Sequence, residues 1–504
     1  MRIAIIGAGI SGIATAIILQ KAGHAVTLFE KSDKIGGVWA MSYPNVRLQN
    51  VGEQYCFSDF PWPKQPDQHP TAGQIMEYLE AAIEHFKLDV RLSHNIITMD
   101  ETATGWSLQV AKGSETKTHD FDYVISAIGQ YSGGKRRPEF KGEHLFKGEI
   151  ITEREMKDLS NFEGKRVAVV GFGKSALDMA TMASKQGAQV EHVFRTARWT
   201  IPFKILGIHY SYPLFSRFGS VMMSSWAHPS TMEQLLHNKL DFVVKGFWSS
   251  LSGLFATQAK ANAWFKGDEA KLRIQKVIPE HPFIKDLRSA AALEPTQYYE
   301  FVAEGKINPH QGDLVAFSEK GVLLKDGREV EADMVVLSLG SEKPRFPFMP
   351  EKYRTMLEKE TDGVQLYRHI LHPDIPRFAF AGYNHGFMHV PAAEVGAAWL
   401  CAVLDGDLTL PEIAEMKKAI EYMSEWKRNH IHFEPSRSCA INTRFQQYLD
   451  IMLKELEVSP YRKSNPIAEL FGRYEAKDYS GVYEEYCKAK AKRQKPLESL
   501  EIWT

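Results

Sequence analysis

The stretch IAIIGAGISGIATA, residues 3–16, reads as a buried strand, a glycine turn and the opening of a helix. Its four leading apolar residues do not alternate with polar ones, as in a strand covered on both faces. Gly7, Gly9 and Gly12 follow in GxGxxG spacing, which permits a tight turn and a close backbone approach. Backbone N–H groups at the helix start then face outward, and a pyrophosphate can sit against them. Glu30 lies 18 residues beyond Gly12, at the end of the next apolar run, where a carboxylate accepts hydrogen bonds from a ribose diol. The unit predicts a dinucleotide site.

A second unit, VVGFGKSALDMA at 169–180, repeats the pattern with Gly171, Gly173 and Ala176 in the third position. Lys174 and Ser175 open its helix, Ser175 as a phosphate hydrogen-bonding group and Lys174 as an added point charge. The interval that leads from Gly12 to Glu30 leads here to Phe194, followed by Arg195, with Arg198 one short turn on. The ribose acid is replaced by guanidinium, which pairs bidentately with a 2′-phosphate. This favours NADPH over NADH; the alternative, two ordinary surface charges, stays open. Two cradles imply two dinucleotides, FAD at the first and NADPH at the second.

The 504 residues, 44% hydrophobic and 24% charged, suffice for two or three domains with sizeable cores. A formal charge of -1 gives no bulk positive field for nucleic acid or an anionic membrane. The basic run KAKAKRQK at 488–495 reads as solvated helix and tail. Cys56, Cys401, Cys439 and Cys487 form no CxxC pair, which argues against a dithiol redox enzyme and for a reducing compartment. The first strand begins at Arg2, leaving no room for a leader, and no run reaches the 18 or so apolar residues of a membrane span. The reading expects a cytoplasmic protein.

Short β-branched runs at 3–6, 25–29, 123–127, 166–170, 190–194, 334–337 and 378–381 alternate with helical patterns, as in an α/β protein with parallel sheets. Gly129 and Gly340 follow two of these strands, each preceded by a hairpin pattern. The linker YSGGKRRPEFKGE at 131–143 leads to the second cradle. The expected organisation is an FAD-binding domain at 1–162 and 332–445, interrupted by a Rossmann-like NADPH-binding domain at 163–331, with a helical C-terminal extension at 446–504. An insertion near 202–290, rich in Phe, Trp and Met, suits either a substrate-pocket wall or a plain helical core, and core is favoured.

Beyond Glu30 come KIGGVW (34–39), with Gly37, Val38 and Trp39, and YPNVRLQNVGEQYCFSDFPWP (43–63). Farther on stand FVAEGKINPHQGD (301–313), GVLLKDGREVEADMVVLSLG (321–340) and AEVGAAW (393–399). With these the chain resembles the flavin-containing monooxygenases, relatives of the Baeyer-Villiger monooxygenases. The resemblance implies a two-dinucleotide-binding-domain flavoprotein using FAD, NADPH and O2. NADPH would reduce the flavin, a C4a-hydroperoxyflavin would form, and its distal oxygen would pass to nitrogen or sulfur of a small molecule. The alternatives are Baeyer-Villiger oxygenation of a ketone and an uncoupled NADPH oxidase.

Departures from the family pattern fall near the expected chemistry. The family's active-site Asn position carries Gln49, with Asn50 as its neighbour; both are candidate catalytic amides. The family's linker His position, within FKGEIITEREM, is Thr152, and the Gln of its ElQaRW run is Gly396. Gly340 remains where the family has FATGY. The resemblance also places the loop of Tyr383, Asn384 and His385 over FAD. The pairs His385/His389 and His369/His372 lie beside Gly386 or Pro373 and are not read as metal ligands; no metal is expected. Oligomeric state is open, a homodimer included.

Overall fold

The computed structural model describes residues 1–223, 226–289, 291–433, 437 and 441–499. Cys439, counted among the cysteines above, lies outside them. Two parallel five-stranded sheets organise the chain. In the first, Arg2–Ile6 lies at the centre, flanked by Ala25–Phe29 and Asp89–Arg91 on one side and by Tyr123–Ser126 and Phe378–Phe380 on the other. All but the edge strand Asp89–Arg91 are apolar runs expected, and they form strands because each is buried on both faces. The helix Ile10–Lys21 is apolar almost all round and buries Ile10, Ile13, Ile17 and Leu19 in the same core as Val395, Trp399 and Leu400 of the helix His389–Leu404. An antiparallel sheet of Asn95–Glu101, Trp106–Lys112 and Glu115–Phe121 supplies the expected hairpin with one strand more.

The second sheet has the order Ile307–Gln311, Gln189–Phe194, Arg166–Val170, Met334–Leu337, Glu149–Thr152. It corrects the expected boundaries at 162/163 and 331/332. Met334–Leu337 pairs with Arg166–Val170, and Glu149–Thr152 pairs with Met334–Leu337, so both belong to the sheet of the second glycine turn. The reason is register: Val335, Val336 and Leu337 are completely buried against Ala168, Val169 and Val170, a packing that local patterning does not encode.

Helices fill the insertion and the C-terminal third. Val244, Trp248, Phe255 and Ala259 line the buried face of Asp241–Ala261, where Trp248 and Phe255 pack on Phe283. Arg217 ties this insertion to the C-terminal helices through ion pairs to Asp450 and Glu469. The basic run is the end of the helix Val482–Lys490 and a largely exposed tail, as expected, with two anchors: Lys490 pairs with Asp405 at 3.0 Å and Arg493 with Glu457 at 2.9 Å. Those partners come from segments 36 to 85 residues away, so local patterning does not reveal the anchors. Among the described residues no helix is long and apolar enough to cross a membrane.

Candidate active site

The first turn is closed by geometry that excludes side chains. Gly7 has φ +111°, and a Cβ there would lie 2.6 Å from the Ala127 carbonyl oxygen; one on Gly12 would lie 2.2 Å from the Gly7 oxygen. Gly9 faces Gly37 across the concavity, close enough that a Cβ on Gly37 would sit 3.4 Å from the Gly9 Cα. The Ile35–Gly36–Gly37 loop thus forms a second rim over the turn. Glu30, buried at the end of its strand, accepts hydrogen bonds from the Ala8 N–H (3.0 Å) and the Ser32 N–H (2.9 Å). Val38 is exposed, whereas Trp39 donates its indole N–H to the Tyr55 hydroxyl at 2.9 Å. A side-chain-free hollow ending in a buried carboxylate fits the pyrophosphate and ribose of FAD.

The second turn is built alike. Gly171 has φ +129°, with Ser338 O 2.4 Å from a would-be Cβ, while Gly173 looks into open space. Ala176 is buried and Ser175 half-buried in the first helical turn of Lys174–Lys185. Lys174 folds back onto Asp178 in an ion pair, and the Tyr43 hydroxyl donates to the same Asp178 at 2.7 Å. The Asp178 carboxylate is thereby held under the helix start. Arg195 directly follows Gln189–Phe194, as Glu30 directly follows Ala25–Phe29, so the two residues are positional counterparts. Its guanidinium is 78% exposed, with Asp313 no nearer than 4.0 Å. This open, cationic rim fits a 2′-phosphorylated dinucleotide. Arg198 does not join it: its guanidinium pairs with the buried Asp286 at 3.1 Å and stacks 3.5 Å over Phe433.

Between the cradles lies a cavity of about 370 Å³ to which both sides contribute. Gln49 and Asn50 come from the FAD side, Lys174 from the NADPH side, and Tyr210, Phe215 and Arg288 from the helical insertion. A second cavity of about 480 Å³ meets the same Gln49, Lys174 and Leu293, which form the partition. Gln49 holds this partition shut: its Oε1 accepts from the Leu293 N–H at 2.9 Å, and its backbone oxygen accepts from the Tyr210 hydroxyl. Asn50 donates from Nδ2 to the Phe387 oxygen at 2.5 Å. Phe387 in turn stacks on Phe215, giving the cavity an aromatic wall. His385, also in the wall, is pushed down to about 4 by burial and is a neutral imidazole at neutral pH.

The structure brings Gln49, Asn50 and Lys174 together but not Asn384. Asn384 turns into the core, donating to the Ala392 oxygen (2.6 Å) and the Tyr448 hydroxyl (3.2 Å). Gly396 makes this possible, because a Cβ there would lie 2.8 Å from the Asn384 Nδ2. Gly129 and Gly340 both have positive φ and open space at the Cβ position; Gly340 accepts a hydrogen bond from the Arg136 N–H of the linker at 3.0 Å. Thr152 bonds Glu155, and the linker is instead tied by an ion pair between Lys135 and the buried Glu153. Tyr210, Phe387 and Arg288 escape sequence reading, since their role comes from tertiary placement. The one signal is the cation in DLRSAAAL (286–293), flanked by apolar residues.

Two glycine cradles with opposite rims, and a cavity lined by residues from the segments around both, fit an oxidoreductase that binds two dinucleotides. The flavin-binding monooxygenase-like family model matches residues 1–465, and the chain belongs to that family. It is 31% identical to the probable flavin-containing monooxygenase 1 of Arabidopsis thaliana, over 95% of this chain and 96% of that protein. Among solved structures, S-allyl-L-cysteine S-oxygenase from Allium sativum superposes with a TM-score of 0.62 at 18% identity, covering 98% of this chain and 93% of the other. OTEMO in complex with FAD and NADP gives 0.63 at 17% identity, covering 97% and 98%. The protein is therefore a flavin-dependent monooxygenase.

Proposed function

We propose that this enzyme uses FAD in the Gly7–Gly12 cradle and NADPH in the Gly171–Ala176 cradle to oxygenate a nitrogen or sulfur of a small molecule. The observation that carries the reading is the shared cavity, which takes amides from one cradle, a lysine from the other and apolar walls from the insertion. Gly7, Gly9, Gly12, Glu30 and Gly37 would hold the FAD; Gly171, Gly173, Ser175 and Arg195 would hold the NADPH. The bound flavin, once reduced, supplies the activation of O2 and the transfer of one oxygen atom.

What the chain contributes is exclusion, orientation and a choice of charge state. Phe215 and Phe387 give the cavity an apolar wall that disfavours water, and the Gln49–Leu293 bond lies in the partition from the outer one. Among the described residues no Asp or Glu lines it, so an ammonium group gains no counter-ion there and a neutral lone pair is favoured. Gln49 keeps its Nε2 hydrogens uncommitted, and Asn50 keeps one, for an oxygen at the reaction centre. Neutral His385 offers no competing strong acid.

The test is a screen of amines, thioethers and ketones with purified holoenzyme, NADPH consumption and hydrogen peroxide being followed together. N-oxygenated or S-oxygenated product matching NADPH consumed is expected. Ester from the ketones would move the reading to Baeyer-Villiger chemistry, and NADPH recovered wholly as peroxide would refute oxygenation.

A further inference from the structure

The cavity contains one cation that the proposed chemistry does not use. Arg288 follows the helix Phe283–Leu287 and lines the cavity beside Ser289 and Asn442. Its Nε is buried without a hydrogen-bond partner, and no carboxylate among the described residues lies within 4 Å of its guanidinium. The acid nearest in sequence, Asp286, is already taken: it binds Arg198 at 3.1 Å, His281 at 2.6 Å and the Trp199 N–H at 2.7 Å. The guanidinium of the fully buried Arg444 lies close enough that the charge on Arg288, after burial, helps to lower the Arg444 pKa, so the pocket wall carries positive charge. Burial lowers the pKa of Arg288, and a guanidinium still remains ionised at neutral pH. An ionised, partly buried, unpaired donor fork costs free energy until an anion reaches it.

The geometry points to Arg288 as the anchor for a carboxylate of the substrate, so that the compound oxygenated is a carboxylic acid bearing its nitrogen or sulfur a few bonds away. The inference rests on the reading of this cavity as the oxygenation site. A carboxylate matches the guanidinium fork bidentately, and seating it there leaves the apolar remainder of the molecule against Phe215 and Phe387. Lys174, the other cation of the wall, is held by Asp178 and does not compete for the acid. A phosphate of NADPH is the other anion with the chemistry to reach Arg288, and the experiment separates the two.

The probes are 3-(methylthio)propanoate against its methyl ester, and phenylalanine against phenethylamine, titrated calorimetrically into FAD-loaded enzyme with NADP+ bound. Each acid is expected to bind at least about tenfold tighter than its neutral or decarboxylated partner. In Arg288→Gln the ratio falls to within about twofold; Arg288→Lys, which keeps the charge but loses the fork, restores part of it. Equal binding within each pair, no binding by either acid at millimolar concentration, or a preference surviving in Arg288→Gln would overturn the assignment. So would a rise in the KM for NADPH as large as the loss of acid binding, which would give Arg288 to the dinucleotide. Binding is read without turnover, so the two readings fail separately. Acid-selective binding with all NADPH electrons recovered as peroxide removes the oxygenase but keeps the anchor; oxygenation of the partners lacking the carboxylate with no acid preference does the reverse.

Discussion

Shortening Gln49 to Asn tests whether the partition between the two cavities keeps the reaction dry. The change removes one methylene and draws the amide oxygen back by about 1.5 Å. From the observed 2.9 Å, the distance to the Leu293 N–H grows to about 4.4 Å, beyond any hydrogen bond. Leu293 is buried, so its N–H is left unsatisfied at a cost of about 1–3 kcal/mol. The Tyr210 bond survives, because it goes to the Gln49 backbone oxygen. Among the hydrogen bonds within the chain, the loss is therefore confined to the contact joining the Gln49 loop to Leu293, and the Nε2 donor is drawn back with it. Opening that contact becomes easier by a factor of about 5 to 150, taking about 1.4 kcal/mol per tenfold. With a saturating substrate, the share of NADPH electrons appearing as hydrogen peroxide should rise at least about fivefold. A peroxidase-coupled assay run beside NADPH consumption measures that share, and stopped-flow reduction of the flavin shows separately whether the dinucleotide step has changed. An unchanged or lower peroxide share in Gln49→Asn would refute the partition argument.

Arg195→Ala should weaken NADPH by about 5- to 30-fold and leave NADH within about twofold, since one charge-assisted contact to a phosphate is worth roughly 1–2 kcal/mol at an exposed site; equal losses in steady-state KM values would remove Arg195 from the phosphate. Gly7→Ala should abolish flavin retention, because the new Cβ meets the Ala127 oxygen at 2.6 Å under a φ of +111°, while Gly171→Ala should keep its flavin and lose NADPH binding; absorbance of the purified proteins and nucleotide titration decide this. Glu394 is buried, accepts from the Ser58 N–H and hydroxyl, and is pushed up to about 8 by burial against an ordinary value of 4.5. A raised carboxyl favours the fold most below pH 4.5, and that contribution is lost as pH rises through 8, at most about 5 kcal/mol from 1.36 kcal/mol per unit. Glu394→Gln should flatten the fall in urea midpoint between pH 5 and 8, and an unchanged slope would show that Glu394 ionises normally.

How far the sequence reveals this protein depends on the range of the forces at each position. Gly7 and Gly171 are legible because a positive φ and a closed turn are local demands. Glu30 and Arg195 are legible too, since strand length and register fix which residue ends the second strand of each unit. Glu149–Thr152 is not, because four residues in a polar stretch become a strand only by pairing with Met334–Leu337, more than 180 positions on. Arg198 reads from sequence as a phosphate ligand, but its partner is Asp286, 88 residues distant. Asn384 follows the same logic, turned inward by the space Gly396 leaves. The amides at 49 and 50 were visible as residues, but Leu293, Tyr210 and Phe387, which decide what those amides do, come from three other segments.

The first sheet sets an order of events for a chain still leaving the ribosome. Its strand Tyr123–Ser126 is completely lined by buried residues, yet the neighbour that covers its outer edge, Phe378–Phe380, follows more than 250 residues later. The apolar helix Ile10–Lys21 waits longer still, for His389–Leu404. At about 5–20 residues per second that interval lasts on the order of tens of seconds. The second sheet needs nothing beyond Leu337 and can close first. During synthesis, then, the sheet that begins the chain is the one completed last, its Tyr123–Ser126 edge and the apolar helix Ile10–Lys21 lacking their partners until residue 404 has emerged.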